Sequence, residues 1–217
     1  MKDIYNKYSL FIFDWDGTIV KIKLLNKLNE LKNPFWKRKK LHKTEKLNNA
    51  QLHKIEIKEQ SREERFRYIL DPLVFVLRPK LQNDSLALLN ALSKKRLALF
   101  TNGAKWRVKR EMHSLRVDGF FKIFISAQDI GALKPSPNGI KLILKSENIP
   151  KDRALYVGDM ADDIITAKAA GVDSCAIASG FDSYETLAAE RPTYLFNDIE
   201  SFVLALHSSK LSGNSPK

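Results

Sequence analysis

One short stretch, residues 10–18, constrains this chain more than any other. Four bulky apolar residues, Leu-Phe-Ile-Phe, lead directly into Asp14, and Asp16 and Gly17 follow at once. A short, uninterrupted apolar run is typical of a strand that is buried on both faces of a parallel sheet. Glycine then allows the tight turn that ends such a strand. Because ligands bind at the carboxyl ends of strands in open parallel sheets, the stretch predicts that both acids lie at a binding site.

Two carboxylates beside a turn suit phosphoryl transfer. Asp14 can attack phosphorus, while Asp16 can give a proton to the leaving oxygen and later take one from water. The crowded negative charge requires a cation, and hard oxygen ligands favour Mg2+. An acidic turn without chemistry is the alternative that stays open at this point. A calcium loop of the helix-loop-helix type is excluded, because Ile19 and Leu25 occupy the positions of its glycine and its last glutamate.

Composition and cysteine content favour a cytoplasmic globular protein. The chain has 217 residues, of which 44% are hydrophobic, enough for a core and for one or two domains. Cys175 is the one cysteine, so an internal disulfide is excluded and a reducing compartment is expected. The first apolar run ends at Asp14, too early for a signal peptide, and no apolar stretch reaches the length of a membrane span. No association with a membrane is therefore expected.

The positive charge is concentrated in one segment. The formal net charge is +12, and residues 21–67 contain 15 Lys and Arg against 6 Glu, a net charge of +9. Its densest run is Lys-Arg-Lys-Lys at residues 37–40. Such a run is usually a solvated face of a helix or a loop. A basic surface that binds nucleic acid is the alternative.

The pattern of apolar residues divides the chain into three parts. Residues 21–77 lack glycine and carry apolar residues at helical spacing, which predicts a small helical cap. From there on, short apolar strands alternate with helices, so residues 1–20 and 78–207 are predicted to form one α/β core. This alternation implies a mostly parallel sheet with helices on both faces. Residues 208–217 are polar and are predicted to form a disordered tail.

Further polar residues follow the later strands of the predicted sheet. Thr101 and Asn102 end one strand, and Asp159 follows another. Parallel strands end at one edge of a sheet, so these groups are expected to meet the two acids of the first strand. Thr101 offers a hydroxyl donor and Lys134 a positive charge for a phosphate. Asp159 offers a further carboxylate for the metal, and Asp163 can ligate the metal or orient its waters.

Together, in this order, the motifs resemble those of the haloacid dehalogenase superfamily, specifically its phosphoglycolate-phosphatase-like branch. The matching residues are Asp14-Trp15-Asp16-Gly17-Thr18, Thr101-Asn102-Gly103, Lys134-Pro135, and Gly158-Asp159 with Asp163. The resemblance implies a Rossmann-like parallel sheet with helices on both faces. It also implies a small helical cap that is inserted after the first motif, over residues 21–77.

The resemblance assigns a role to each motif residue. The expected catalytic residues are the nucleophile Asp14, the general acid/base Asp16 and the cation Lys134. The substrate phosphate would be held by Thr101, Asn102 and Lys134. The metal, Mg2+, would be held by the Asp14 carboxylate, the Asp16 backbone carbonyl and Asp159, with Asp163 supporting the site.

The expected function is a Mg2+-dependent phosphatase that acts through an aspartyl-phosphate intermediate. Its partner would be a small phosphorylated metabolite, either phosphoglycolate-like or a sugar or nucleotide phosphate. Asp16 argues against a dehalogenase, because such enzymes lack this second acid. The alternatives are a phosphomutase on the same fold and a basic nucleic-acid-binding module with a degenerate phosphatase core.

Overall fold

The structure, a computed structural model, describes residues 3–21 and 79–212. These residues belong to one compact unit. The cap predicted over residues 21–77 lies outside the described residues except for Lys21, and so do residues 213–217 of the predicted tail.

A parallel six-stranded sheet forms the centre of the described unit, with the strand order β3-β2-β1-β4-β5-β6. Its strands are β1 (Leu10–Phe13), β2 (Arg96–Thr101), β3 (Ile123–Ser126), β4 (Ala154–Gly158), β5 (Asp173–Ile177) and β6 (Tyr194–Phe196). The first strand along the chain therefore lies in the middle of the sheet, between β2 and β4.

Helices connect the strands and cover the sheet. They are α1 (Ile4–Lys7), α2 (Ser85–Ala91), α3 (Lys105–Ser114), α4 (Ala127–Ile130), α5 (Asn138–Glu147), α6 (Ala161–Ala170), α7 (Tyr184–Ala189) and α8 (Ile199–Ser212). Two short 3-10 turns, Asp118–Phe120 and Lys151–Arg153, precede β3 and β4. Within the described part of the chain, no helix combines the length and the apolar composition that crossing a membrane would require.

Side chains of the central strand alternate between two separate apolar cores. Phe11 and Phe13 pack into the core on the face that α1, α2, α3 and α8 cover. Leu10 and Ile12 pack into the opposite core, beneath α5 and α6. All four side chains are fully buried, and burying each stabilises the fold by about 1.5–3 kcal/mol. The prediction of a Rossmann-like parallel sheet with helices on both faces is confirmed.

The chain leaves the core after β1 and returns to it at an adjacent point. The Lys21 N–H donates to Lys80 O at 2.8 Å, and the Gln82 N–H donates to Ile19 O at 2.9 Å. An isolated antiparallel bridge joins Val20 to the returning chain. These backbone bonds hold the turn after β1 against the segment that leads into α2.

The last helix extends further than the sequence indicated. Helix α8 runs to Ser212, so the prediction of a disordered tail from residue 208 is wrong for residues 208–212. The Tyr5 N–H of α1 donates to the buried Ser209 Oγ at 3.0 Å, and the Asn6 side chain donates to Ser209 O. Contacts with α1, at the other end of the chain, therefore hold a polar segment in the helix.

Candidate active site

Three neighbouring strands deliver the motif residues to one edge of the sheet. Asp14 directly follows β1, Thr101 is the last residue of β2, and Asp159 directly follows β4. The Asp14 N–H still donates to Val157 O of β4 at 2.9 Å, which fixes the start of the turn. The side chains of all three residues are buried. Of the groups expected to meet here, Asp14 and Asp159 lie together at the carboxyl ends of their strands.

Lys134 bridges two buried carboxylates. Its Nζ donates to Asp14 Oδ1 at 2.6 Å and to Asp163 Oδ1 at 2.7 Å. Burial raises the pKa of Asp14 to about 7; Lys134 opposes this shift, and the charge of Asp163 adds to it. Although burial lowers the pKa of Lys134, the charges of Asp14 and Asp163 raise it well above its usual range. The lysine therefore stays charged beside the proposed nucleophile.

Asp159 is held between two loops. Its Oδ1 accepts from Thr18 Oγ1 at 2.7 Å, and its Oδ2 accepts from the Phe181 N–H at 2.7 Å. Burial raises the pKa of Asp159 well above its usual range, and the charges of Asp14 and Asp163 add to the shift. The loop after β5, which supplies Phe181, was not predicted from the sequence. Its contribution is a backbone N–H, which any residue type other than proline supplies.

Gly17 and Gly180 give the Asp159 carboxylate its space. A Cβ at either position would collide with that carboxylate. Gly17 also has a φ of +88°, a conformation that favours glycine. Both glycines therefore bring backbone close to the carboxylate of Asp159.

The Asp163 carboxylate accepts hydrogen bonds from the backbone at the start of α6 and from Lys134. Its Oδ2 accepts from the Asp159 N–H at 3.1 Å and from the Met160 N–H at 3.0 Å, at the start of α6. Its Oδ1 accepts from Lys134 and lies 3.2 Å from Tyr156 Oη. These contacts fix the backbone that carries Asp159 and the position of the lysine.

The acidic cluster has the composition of a site for a divalent cation. Carboxylate oxygens of Asp14, Asp159 and Asp163 lie within 4.8 Å of one another, and all three side chains are buried. Lys134 neutralises only one of the three negative charges, and burying uncompensated charge is costly. Carboxylate oxygens are hard ligands of the kind that Mg2+ prefers. The residues present therefore fit the expected metal.

The turn after β2 packs against the loop that carries Lys134. Thr101 Oγ1 accepts from the Gly103 N–H at 3.0 Å, and Asn102 Oδ1 accepts from the Lys134 N–H at 2.9 Å. Asn102 thus positions the backbone of the lysine. The buried Thr101 hydroxyl lies at the end of β2, beside the strand that leads to Asp14.

Asp16 points toward helix α3. Its two carboxylate oxygens accept from Arg107 Nη1 at 2.9 Å and from Arg107 Nη2 at 2.5 Å. Arg107 Nη1 also donates to Glu111, whose Oε2 accepts from Trp15 Nε1. The contact between Asp16 and Arg107 was not predicted from the sequence. The i,i+4 spacing of Arg107 and Glu111 indicates an ion pair on a helix, but nothing in the sequence connects that pair with Asp16.

Comparisons with known proteins match this arrangement. The family model described as haloacid dehalogenase-like hydrolase matches residues 11–177. A phosphoglycolate phosphatase of Pseudomonas fluorescens is 29% identical over 107 residues, which make up 49% of this chain and 39% of that protein. The matched part of the chain thus spans about two fifths of that relative's length.

Two solved structures share the fold. One is a predicted phosphoglycolate phosphatase from Haemophilus somnus, 20% identical, with a TM-score of 0.65 over 92% of this chain and 98% of that one. The other is a haloacid dehalogenase-like hydrolase from Streptococcus pneumoniae, 17% identical, with a TM-score of 0.67 over 92% and 99% of the two chains. Since the family model covers most of the sequence and its motifs converge at one edge of the sheet, this chain belongs to the haloacid dehalogenase-like hydrolase family.

Proposed function

We propose that the protein is a Mg2+-dependent phosphatase that hydrolyses a small phosphate monoester through an aspartyl-phosphate. The observation that carries the proposal is the buried Asp14 carboxylate, held by Lys134 and flanked by Asp159 and Asp163 at the carboxyl edge of the sheet. The relatives named phosphoglycolate phosphatase support a phosphoglycolate-like substrate, with sugar or nucleotide phosphates as the other candidates. Residues 21–77 remain proposed as a helical cap that selects among them.

In the first step, an Asp14 oxygen attacks phosphorus and the bond from phosphorus to the ester oxygen breaks. Asp16 gives its proton to that oxygen, and the alcohol leaves. Lys134 Nζ donates to one oxygen of the Asp14 carboxylate and places a positive charge beside the attacking group. Thr101, Asn102 and Lys134 are proposed to hold the phosphate oxygens.

In the second step, water attacks the phosphorus of the aspartyl-phosphate. Asp16, now a carboxylate, takes a proton from that water, and the bond between phosphorus and the Asp14 oxygen breaks. Inorganic phosphate is released, and Asp14 is again a carboxylate. When bound, Mg2+ would neutralise the charge that develops on the phosphoryl oxygens, held by the Asp14 carboxylate, the Asp16 carbonyl and Asp159, with Asp163 in support.

Release of inorganic phosphate from a panel of phosphorylated metabolites and from p-nitrophenyl phosphate tests the proposal. We expect turnover with Mg2+ and none in EDTA. The Asp14→Asn variant should lose turnover, because an amide is a poor nucleophile. Turnover by Asp14→Asn at the wild-type rate would refute the assignment of the nucleophile.

The same panel separates the alternatives. A phosphomutase would convert a sugar phosphate to its isomer without releasing phosphate, so the products are analysed as well. A nucleic-acid-binding module would release no phosphate and would bind DNA or RNA with strong salt dependence and without sequence preference. Either result would replace the phosphatase proposal.

A further inference from the structure

Asp16 and Arg107 form a two-pronged ion pair in which both carboxylate oxygens are bound. Each of the two Asp16 oxygens accepts from a different guanidinium nitrogen, at 2.9 and 2.5 Å. The Asp16 side chain keeps 32% of its surface exposed, and the Arg107 side chain keeps 17%. About a third of the Asp16 side chain is therefore accessible to solvent, while the arginine holds both of its oxygens.

The arginine is itself held in place by a second acid. Arg107 Nη1 donates to Glu111 Oε2 at 2.8 Å, one turn further along α3. The same Glu111 oxygen accepts from Trp15 Nε1 at 2.8 Å. Trp15 is fully buried and stands between Asp14 and Asp16 in the sequence. Two consecutive residues of the first motif are thus anchored to one helix.

Gly103 leaves room for the guanidinium. A Cβ at this position would lie 2.5 Å from Arg107 Nη2 and 3.1 Å from Asp16 Oδ2. The turn after β2 therefore packs directly against the ion pair. Residues from three segments, the turns after β1 and β2 and helix α3, converge on the Asp16 carboxylate.

We propose that Arg107 is a positioning residue that orients the Asp16 carboxylate for proton transfer, with Glu111 and Trp15 holding the arginine. This inference rests on the proposed function, in which Asp16 is the general acid/base. The contacts with both oxygens belong to the ionised form of Asp16. When Asp16 carries the proton that it donates, one oxygen bears that proton and the other still accepts from Arg107. A planar fork that binds both oxygens of a carboxylate restricts its rotation, as a single lysine contact does not. Misplacing a reacting group by about 1 Å can cost about 100-fold in rate.

A role for Arg107 in binding a substrate anion is the competing explanation. Three of its N–H bonds already point to the carboxylates of Asp16 and Glu111. Two carboxylates on one guanidinium leave the group without excess positive charge. The structure thus favours a role that acts through Asp16.

The test uses three aryl esters of similar size, namely phenyl phosphate, p-nitrophenyl phosphate and 2,4-dinitrophenyl phosphate. Their leaving groups differ in how much they need a proton, and kcat/KM reports the step in which the leaving group departs. We expect Arg107→Met to lower kcat/KM about 30-fold for phenyl phosphate and less than about 3-fold for the dinitrophenyl ester. Arg107→Lys should fall between wild type and Arg107→Met, because it keeps the charge and loses the fork.

Three further variants control for loss of charge, for an unpaired buried acid and for effects that do not act through Asp16. Lys109→Met removes the same charge from an exposed position on α3 and should keep the wild-type profile. Arg107→Met combined with Glu111→Gln leaves no unpaired buried carboxylate, since the amide oxygen can still accept from Trp15 Nε1. In an Asp16→Asn background, Arg107→Met should cause no further loss, because an indirect role disappears with its target. Thermal unfolding checks that each variant is folded.

An equal loss on all three esters, a rise in KM alone, or a loss that persists in the Asp16→Asn background would overturn this inference. If wild type turns over and Asp16→Asn shows the leaving-group dependence while Arg107→Met does not, only the role of Arg107 fails. If wild type with Mg2+ releases phosphate from none of the esters, the proposed function fails, and this inference fails with it.

Discussion

Asp14 illustrates how a buried acid of the candidate site can cost stability. Its carboxylate is buried with two other acids and only one lysine, so the ionised form lacks full compensation without a metal. The burial that raises the pKa of Asp14 to about 7 therefore makes folding less favourable whenever the group is ionised. Functional sites often bury charge that is not fully compensated, and interactions elsewhere in the fold offset the loss of stability.

We predict that Asp14→Asn stabilises the metal-free protein at pH 8. Well below pH 3.8, folded and unfolded chains both keep the proton on Asp14, so ionisation contributes nothing. As the pH rises toward about 7, only the unfolded chain releases the proton, and the folded state loses stability. The gain from Asp14→Asn should thus grow between those values, to on the order of 2 kcal/mol. Thermal unfolding in EDTA across this range measures it.

Asp173→Asn provides a control of opposite sign. Although burial opposes the shift, hydrogen bonds from Lys7 and Tyr8 lower the pKa of Asp173. The folded state is therefore stabilised above the unfolded pKa of this group and loses that contribution as the pH falls. Asp173→Asn should lower the unfolding temperature at pH 8, with a loss that shrinks in acid. If both variants shift stability in the same direction at pH 8, the charge argument is wrong.

At the scale of the element, helices α1 and α8 show how distant parts of the chain stabilise each other. Helix α1 has only one turn, which is too short to be stable by itself. Its Tyr5 N–H is satisfied by Ser209 Oγ of α8, and Lys210 Nζ lies over the Tyr5 ring, 5.3 Å from its centroid. The polar end of α8 is therefore held by contacts that local sequence does not reveal.

We predict that the last turns of α8 contribute to stability. The free energy of unfolding should be about 1–3 kcal/mol lower for a chain ending at His207 than for one ending at Ser212, because the buried Tyr5 N–H loses its acceptor. Urea unfolding of the two chains, and of Ser209→Ala in the full chain, measures the difference. Equal unfolding midpoints for the two shortened chains would show that residues 208–212 contribute nothing.

At the scale of the whole molecule, the large positive net charge is the property that bears on the capture of a substrate. The chain carries +12, and the concentration of lysines and arginines in residues 21–67 supplies most of it. A strongly positive protein attracts anionic substrates over long distances, and salt screens this attraction. The effect acts on capture of the substrate and leaves the chemical steps unchanged.

We predict that kcat/KM for an anionic ester falls about 3- to 10-fold between about 20 and 300 mM salt, while kcat changes little. Replacing Lys37, Arg38, Lys39 and Lys40 with Gln should flatten this dependence. The matched control replaces four basic residues that precede strands at the opposite edge of the sheet from the candidate site, Lys94, Lys122, Lys151 and Arg153. Equal slopes for wild type and the first variant would reduce the run to a solvated face.

The sequence by itself determined the sheet and the set of acids at its edge. Strands that are buried on both faces read as short apolar runs, and the residue after each run is necessarily at a strand end. The apolar runs alone therefore place Asp14 and Asp159 at the ends of their strands. Asp163 stands four residues after Asp159, in the first turn of α6, so the same strand end brings both acids to the site.

Only the tertiary structure decided which side chains hold those acids. Lys134 meets Asp14 across 120 residues, and Arg107 meets Asp16 across 91. Phe181 contributes nothing but a backbone N–H to Asp159. Such pairs depend on how helices and loops pack above the sheet, and local patterns of apolar residues carry no record of that packing. Strand positions are encoded locally, whereas the orientation of each carboxylate in the candidate site depends on contacts between segments far apart in the chain.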